Sequence, residues 1–299
     1  MSDHNHHHHA PASFGRAFAI GVALNLGFVV LEAVYGLIGH SVALLADAGH
    51  NLGDVLGLAA AWLASELARR APSPRFSYGL GHATILAALF NAVFLLVAVG
   101  AISWEAILRL GSPEPVAGAT VMVVAAIGIV VNGVTAWLFA AGRDDLNLRG
   151  AFLHMLADAL VAAGVVVAGL VIAVTGWPWL DPVASLAVNA VIVVGTWRLL
   201  RESFGMSMAA APSGVEPGEV RAYLASHPAV SSLHDLHIWP ISTAEIALTC
   251  HLVTPDGHPG DPFLHELCAE LSRRFRIRHA TIQIEIEEGL CALAPDEVV

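Results

Sequence analysis

Lysine is absent from this 299-residue chain: its fourteen basic residues are all arginine, set against 25 acidic ones, for a formal net charge of -11. That balance argues against nucleic acid as a partner and suits cationic substrates. Charge of either sign is scarce. Only 13% of residues are charged and 56% are hydrophobic, whereas a soluble domain carries about 25% charged residues. A wholly soluble globule is excluded, leaving an integral membrane protein with room for roughly six spanning helices and a modest soluble domain. Cysteine is nearly missing. Cys250, Cys268 and Cys291 all lie near the C-terminus in no paired spacing, which excludes a disulfide framework and suits a reducing compartment. A cleavable signal peptide is also lacking, because the start has no basic region and no small-residue cleavage site after a short apolar core. It carries instead His4 and His6 to His9. A purification tag and a native metal-attracting tail both fit that run, and residues 1–13 read as a disordered tail either way.

What the chain does have is six apolar stretches of membrane-spanning length: Phe14 to Ile38, Ser41 to Leu67, Gly79 to Leu110, Pro115 to Ala141, Leu148 to Thr175 and Pro182 to Leu200. Turn-forming residues separate them, as at Pro72-Ser73-Pro74 and Trp177-Pro178-Trp179. Arg16, Arg69, Arg70, Arg75, Arg143, Arg149, Arg198 and Arg201 gather at one set of ends and only Arg109 at the other. The positive-inside rule then puts both termini in the cytoplasm, as expected for a multi-pass protein of a cell inner membrane, with Trp104, Trp177 and Trp179 at the outer interface. The transmembrane domain is expected over residues 14–208.

Beyond Ser213 the pattern changes. Glu216 to Ser226 reads as an amphipathic helix, Val230 to Trp239 and Ala244 to Val253 as strands, Pro262 to Phe275 as a second helix, and Ala280 to Glu287 as a last strand. The order αββαβ predicts a small α+β domain over residues 213–290, with an antiparallel sheet and helices on one face. Residues 291–299 read as a tail.

Two patterns inside the apolar stretches carry the chemistry: His50 with Asp54, and His154 with Asp158. A spacing of four puts each imidazole and carboxylate on one helix face. Ionisable groups in hydrocarbon cost a few kcal/mol or more and persist with partners and a task. Helix rise places the first pair roughly 14 to 20 Å from the outer surface and the second roughly 12 to 18 Å from the inner. In a core about 30 Å thick both pairs reach the midplane. Two neutral imidazoles and two carboxylates form a four-ligand cage of charge minus two, matched to a tetrahedral divalent ion such as Zn²⁺. The bland alternative is that these groups only hydrogen-bond neighbouring helices, and two matched pairs at one depth weigh against it. Asp47 lies one turn from His50 and reads as a relay or accessory group. Glu32, Asn25, Asn132 and Asn189 read as packing or cavity-lining residues. Protons compete with metal for such a cage, so exchange of metal for protons by alternating access is the expected driving mechanism.

At these residues the chain resembles the cation diffusion facilitator family, in its bacterial zinc, cobalt and cadmium efflux branch. The stretches that carry the resemblance are Ser41–Leu58, Tyr78–Ala92, Leu146–Leu160, Asp181–Asn189 and His234–Trp239. The resemblance implies a six-helix transmembrane bundle, a ferredoxin-like cytoplasmic domain, a homodimer and proton-coupled export. It implies His50, Asp54, His154 and Asp158 as the transport site. It further implies Zn²⁺ (or Cd²⁺ or Co²⁺) as substrate and as a regulatory ligand of the cytoplasmic domain, with no organic cofactor. By position, His234, His251, His265 and Glu285 resemble ligands of that domain, with His237 and Cys250 as alternatives. They can equally be ordinary strand, helix and surface residues. Two departures stand out. The linker Arg69–Arg75 offers cations where some relatives carry a further metal site, so none is expected there. Thr84 stands where an acidic residue is common, beside His82. An intramembrane aspartyl protease is disfavoured because Asn51 breaks its glycine motif, and a zinc protease because no H-E-x-x-H occurs. A metal sensor or a passive channel would need no matched cage or no proton coupling, respectively.

Overall fold

The computed structural model describes residues 12–112, 114–140, 146–287, 291 and 293, and their side chains except at 12–21, 58, 61–62, 139–140 and 146–154. Six long helices come first: α1 (Ala12–Ile38), α2 (Val42–Ala68), α3 (His82–Gly111), α4 (Gly118–Ala140), α5 (Leu146–Thr175) and α6 (Leu180–Ser207). They match the six apolar stretches with shifted ends. Gly79 takes a left-handed backbone, φ 70°, which delays α3 to His82. The last helix outruns the expected Leu200 because Arg198 pairs with Glu202 one turn on and carries it past the apolar run. Among the described residues, four segments are long and apolar enough by themselves to cross a membrane: α3, Gly118–Leu138, Met155–Thr175 and α6.

Two compact units emerge, Met1–Leu58 with Val93–Trp197, and Ala59–Ala92 with Arg198–Val299. In the first, one core draws on all six helices: Phe28, Leu44, Val99, Val121, Val165 and Val188 are buried in it. Val30, Val97, Val130, Val174 and Val194 point outward, as lipid-facing side chains do. Helices α4 and α5 meet through small residues. A Cβ on Gly118 would come within 2.6 Å of Ala173 N, and one on Gly169 within 2.7 Å of Met122 N, so only glycine lets these backbones approach.

One edge of this unit is tied together by polar contacts. The Arg109 guanidinium at the end of α3 donates to the His40 carbonyl between α1 and α2. Ala117 N, just before α4, donates to the Gly39 carbonyl. Asp181, second residue of α6, accepts from the Ser41 hydroxyl and from the Val42 and Ala43 amides. A buried carboxylate thus caps the start of α2 from another helix. Helix ends α1 and α3 and helix starts α2, α4 and α6 therefore share one face, the alternation expected of successive spans.

In the second unit the C-terminal domain holds α7 (Pro217–Ala225), β1 (Ser232–Pro240), β2 (Ile246–Val253), α8 (Asp261–Phe275) and β3 (Ile277–Glu285). The element order is αββαβ, as expected. Sheet order is β1-β2-β3, with β1 antiparallel to β2 and β2 parallel to β3. The expected all-antiparallel sheet is therefore corrected. A short turn returns β1 to β2, but α8 crosses over before β3 and brings the chain back in the same direction. Val220 and Leu224 of α7 join Phe263, Leu267 and Leu271 of α8 over Leu248, Cys250 and Leu252 of β2 in one core.

Candidate metal centres

Asp47, His50 and Asp54 follow one another along a single face of α2. Close approach of α2 to α3 is permitted by glycines one turn apart: a Cβ on Gly49 would lie 3.0 Å from Ile102 Cδ1, and one on Gly53 would collide with Leu95 Cδ2 at 2.0 Å. His50 Nε2 lies 3.6 Å from Asp54 Oδ2 and 3.5 Å from Asp158 Oδ1 of α5. Asp158 is 4% exposed and Asp47 2%. Ligand atoms about 2.0–2.1 Å from a tetrahedral ion are separated by about 3.3–3.4 Å. Each His50 contact falls close to that edge length, although His50, Asp54 and Asp158 do not, among the described residues, bring their ligand atoms all within 4.8 Å of one another. His154 sits one turn before Asp158 on α5, and its side chain lies outside the described residues. Glu32 of α1 is fully buried and accepts a 3.0 Å hydrogen bond from Asn51 Nδ2. Asn189 donates to the Ser103 hydroxyl and Asn25 meets the Met155 sulfur, contacts that fit packing roles.

In the C-terminal domain one group of four has ligand atoms all within 4.8 Å of one another: His234, His251, Glu285 and Cys291. Strand register assembles it. His234 of β1 faces His251 of β2, and Glu285 of β3 pairs with Val253, two residues along the same strand. Glu285 reaches His234 Nε2 at 3.3 Å and His251 Nδ1 at 3.0 Å, and Cys291 Sγ lies 3.5 Å from that same Nδ1. Burial would raise the Glu285 carboxyl, but bonds to Gln283 and Cys291 and the two imidazoles outweigh it and hold the group below the usual range. It is therefore ionised and ready to ligate at neutral pH.

Of the ligands expected from sequence, this cluster unites His234, His251 and Glu285. His265 is exposed on α8 and stands outside it. Cys250 is buried in the core on the other side of β2. Burial, then the nearby Cys268 and Asp235, pushes its thiol up to about 12, which disfavours a thiolate ligand. His237 instead holds Asp235 Oδ1 at 2.9 Å.

One member of the cluster and one residue behind it escaped the sequence reading. Cys291, assigned to the tail, follows the last strand by a few residues, and that proximity was the available signal. Asp235 lies between two histidines of one motif. The register of β1 slips between His234 and His237, and Asp235 takes a left-handed backbone there, φ 51°. Its other oxygen then reaches His251 Nε2 at 3.4 Å. A carboxylate on the far nitrogen fixes the tautomer that presents Nδ1 to the cluster.

Comparison with known proteins decides the family. The sequence profile of the cation efflux transmembrane domain matches residues 18–206, and that of the cation efflux protein cytoplasmic domain matches residues 212–287. The chain belongs to the cation efflux family. It is 35% identical to the zinc transporter ZitB of Escherichia coli over 95% of its length and 93% of that protein. It is 34% identical to the metal cation efflux system protein CzcD of Cupriavidus metallidurans, over 94% and 90% of the two chains. Identity is again 34% to a cadmium, cobalt and zinc/H(+)-K(+) antiporter of Bacillus velezensis, over 94% and 91%. A member of this family is a multi-pass membrane transporter that moves metal cations outward, and the long apolar helices accord with that.

Proposed function

We propose that the protein exports Zn²⁺, with Cd²⁺ and Co²⁺ as further substrates, from the cytoplasm in exchange for protons. The observation that carries the reading is His50 Nε2 set 3.6 Å from Asp54 and 3.5 Å from Asp158, a carboxylate on a different helix, among buried residues. His154, one turn from Asp158, completes a donor set of two imidazoles and two carboxylates. Neutral imidazoles and ionised aspartates give the cage a charge of minus two, so a divalent ion makes it formally neutral. Protonation of the empty cage restores near-neutrality by another route. Either state crosses the bilayer midplane without burying a large net charge, as an alternating-access cycle requires. Asp47, buried one turn away, serves as a proton relay.

The relatives named as zinc transporters and as a cadmium, cobalt and zinc antiporter support this choice of substrates and of proton coupling. The protein works as a homodimer in the inner membrane with both termini cytoplasmic. His234, His251, Glu285 and Cys291 form a second, regulatory zinc site. The sulfur of Cys291 favours Zn²⁺ or Cd²⁺ over harder ions there.

The decisive experiment is metal flux in proteoliposomes with and without an imposed pH gradient. The reading expects zinc to accumulate only when protons can move the other way, and it fails if flux ignores the gradient.

A further inference from the structure

Four of the fourteen arginines fall within six residues, Arg273, Arg274, Arg276 and Arg278, where α8 gives way to β3. Arg273 and Arg274 are engaged by Glu270, and Arg274 also lies over the Tyr223 ring at 4.9 Å. Arg276 and Arg278 are exposed and form no ion pair among the described residues. Arg274, Arg276 and Arg278 line one open cavity of about 740 Å³, with the hydroxyls of Ser213, Ser242 and Thr243 among them and no acidic side chain on its wall. In a chain of net charge -11, such a concentration of cationic forks and hydroxyls recognises an anion. Guanidinium planes match the paired oxygens of a phosphate.

Position decides which phosphate. The Thr243 amide on the cavity wall donates a 3.0 Å hydrogen bond to the Thr84 hydroxyl, and Thr84 is the third residue of membrane helix α3. The neighbouring Ile241 carbonyl packs so close to Gly81 that a Cβ there would lie 2.7 Å from it. On another side, Ser213 follows the last residue of α6 by six positions. The cavity wall therefore touches the start of α3 and is joined to the end of α6 by a short linker, and the ends of spanning helices are where a membrane protein meets lipid headgroups. The cavity is large enough for one glycerophosphate head.

We infer that this cavity binds the phosphate of an anionic lipid headgroup and so tethers the C-terminal domain to the leaflet beside α3 and α6. The site shares no residue with either candidate metal centre.

The test uses the full-length protein in neutral detergent, titrated with phosphatidylglycerol or phosphatidylcholine and read by native mass spectrometry. Native protein should retain phosphatidylglycerol in preference to phosphatidylcholine. Replacing both free arginines, Arg276→Gln with Arg278→Gln, should weaken phosphatidylglycerol binding roughly 25-fold and leave phosphatidylcholine unchanged. Because Arg276 has a left-handed backbone, φ 61°, Arg278→Gln alone serves as the second variant, with a loss of about fivefold. Arg273→Gln removes equal charge outside the cavity and should change little. The inference is overturned if the double and single variants keep the lipid, or if Arg273→Gln loses as much as Arg278→Gln. Displacement of the lipid by millimolar inorganic phosphate would also overturn it, assigning the site to free phosphate.

Discussion

The membrane centre takes its candidate ligands as pairs four residues apart on single helices, whereas the C-terminal centre takes one from each of three strands and a fourth from beyond the last. The first depends on helix periodicity, a local property that every turn repeats. The second depends on register between strands and on a crossover through α8. His234 and His251 are 17 positions apart, yet they face each other across one ladder. Their environments differ as well. The membrane pairs sit where lone charges are costly, so the cage proposed for them has to stay near neutrality whether filled or empty. The C-terminal ligands rest on a domain with its own buried core, where a thiol and two imidazoles can hold a metal without having to let it cross.

Breaking the membrane centre should have the largest consequence. Asp54→Ala or His154→Ala is expected to cut zinc flux in proteoliposomes more than about 100-fold while metal binding by the C-terminal cluster persists, because the two ligand sets share no residue. Equal loss at both centres would erase the distinction. His251→Ala should weaken the C-terminal site by about 100-fold in a zinc titration, whereas His265→Ala should titrate like the native protein. Removing the α2 cap by Asp181→Ala strips partners from the Ser41 hydroxyl and two buried amides, a loss of about 2–3 kcal/mol seen as a lower thermal midpoint.

Asp235→Asn sharpens the comparison further. It keeps the shape but loses the charge behind His251, and should cost the C-terminal site about tenfold in zinc affinity with the membrane site untouched. The smallest effect concerns Cys250. Its folded pKa is raised from 9.0 to about 12, so its stabilising contribution is complete below 9.0 and fades as pH rises, when the unfolded thiol ionises first. At pH 10 a thiol reagent should modify Cys291 in the native chain well before Cys250. Rapid modification of Cys250 would contradict its burial.

The same divide explains what the residues disclose before folding. Six spans and the His50/Asp54 and His154/Asp158 faces follow from apolar length and helical spacing, and the helices appear where those runs lie. The helix ends were less legible: α6 continues to Ser207 past the Arg198–Glu202 pair, which hydropathy does not register. In the soluble domain the elements were readable, but the direction of β3 was not, since alternation of apolar residues is blind to which neighbour a strand joins. Nor was its start. Arg276 ends α8 in a left-handed cap, and β3 begins at once at Ile277, ahead of the expected Ala280. Asp235 needed the folded sheet, because only the bulge in β1 aims it at His251, and Cys291 had no signal beyond its closeness to the last strand.

The central claim is that one cation is held jointly by His50, Asp54, His154 and Asp158. X-ray absorption at the zinc edge tests it most directly, on full-length protein in which His234, His251, Glu285 and Cys291 are all replaced by alanine. The account predicts one zinc per chain in a shell of about four nitrogen and oxygen ligands near 2.0 Å, two of them imidazole and none sulfur. A protein that binds no zinc after those replacements, or one whose zinc shell is unchanged when His154→Ala is added, would contradict it.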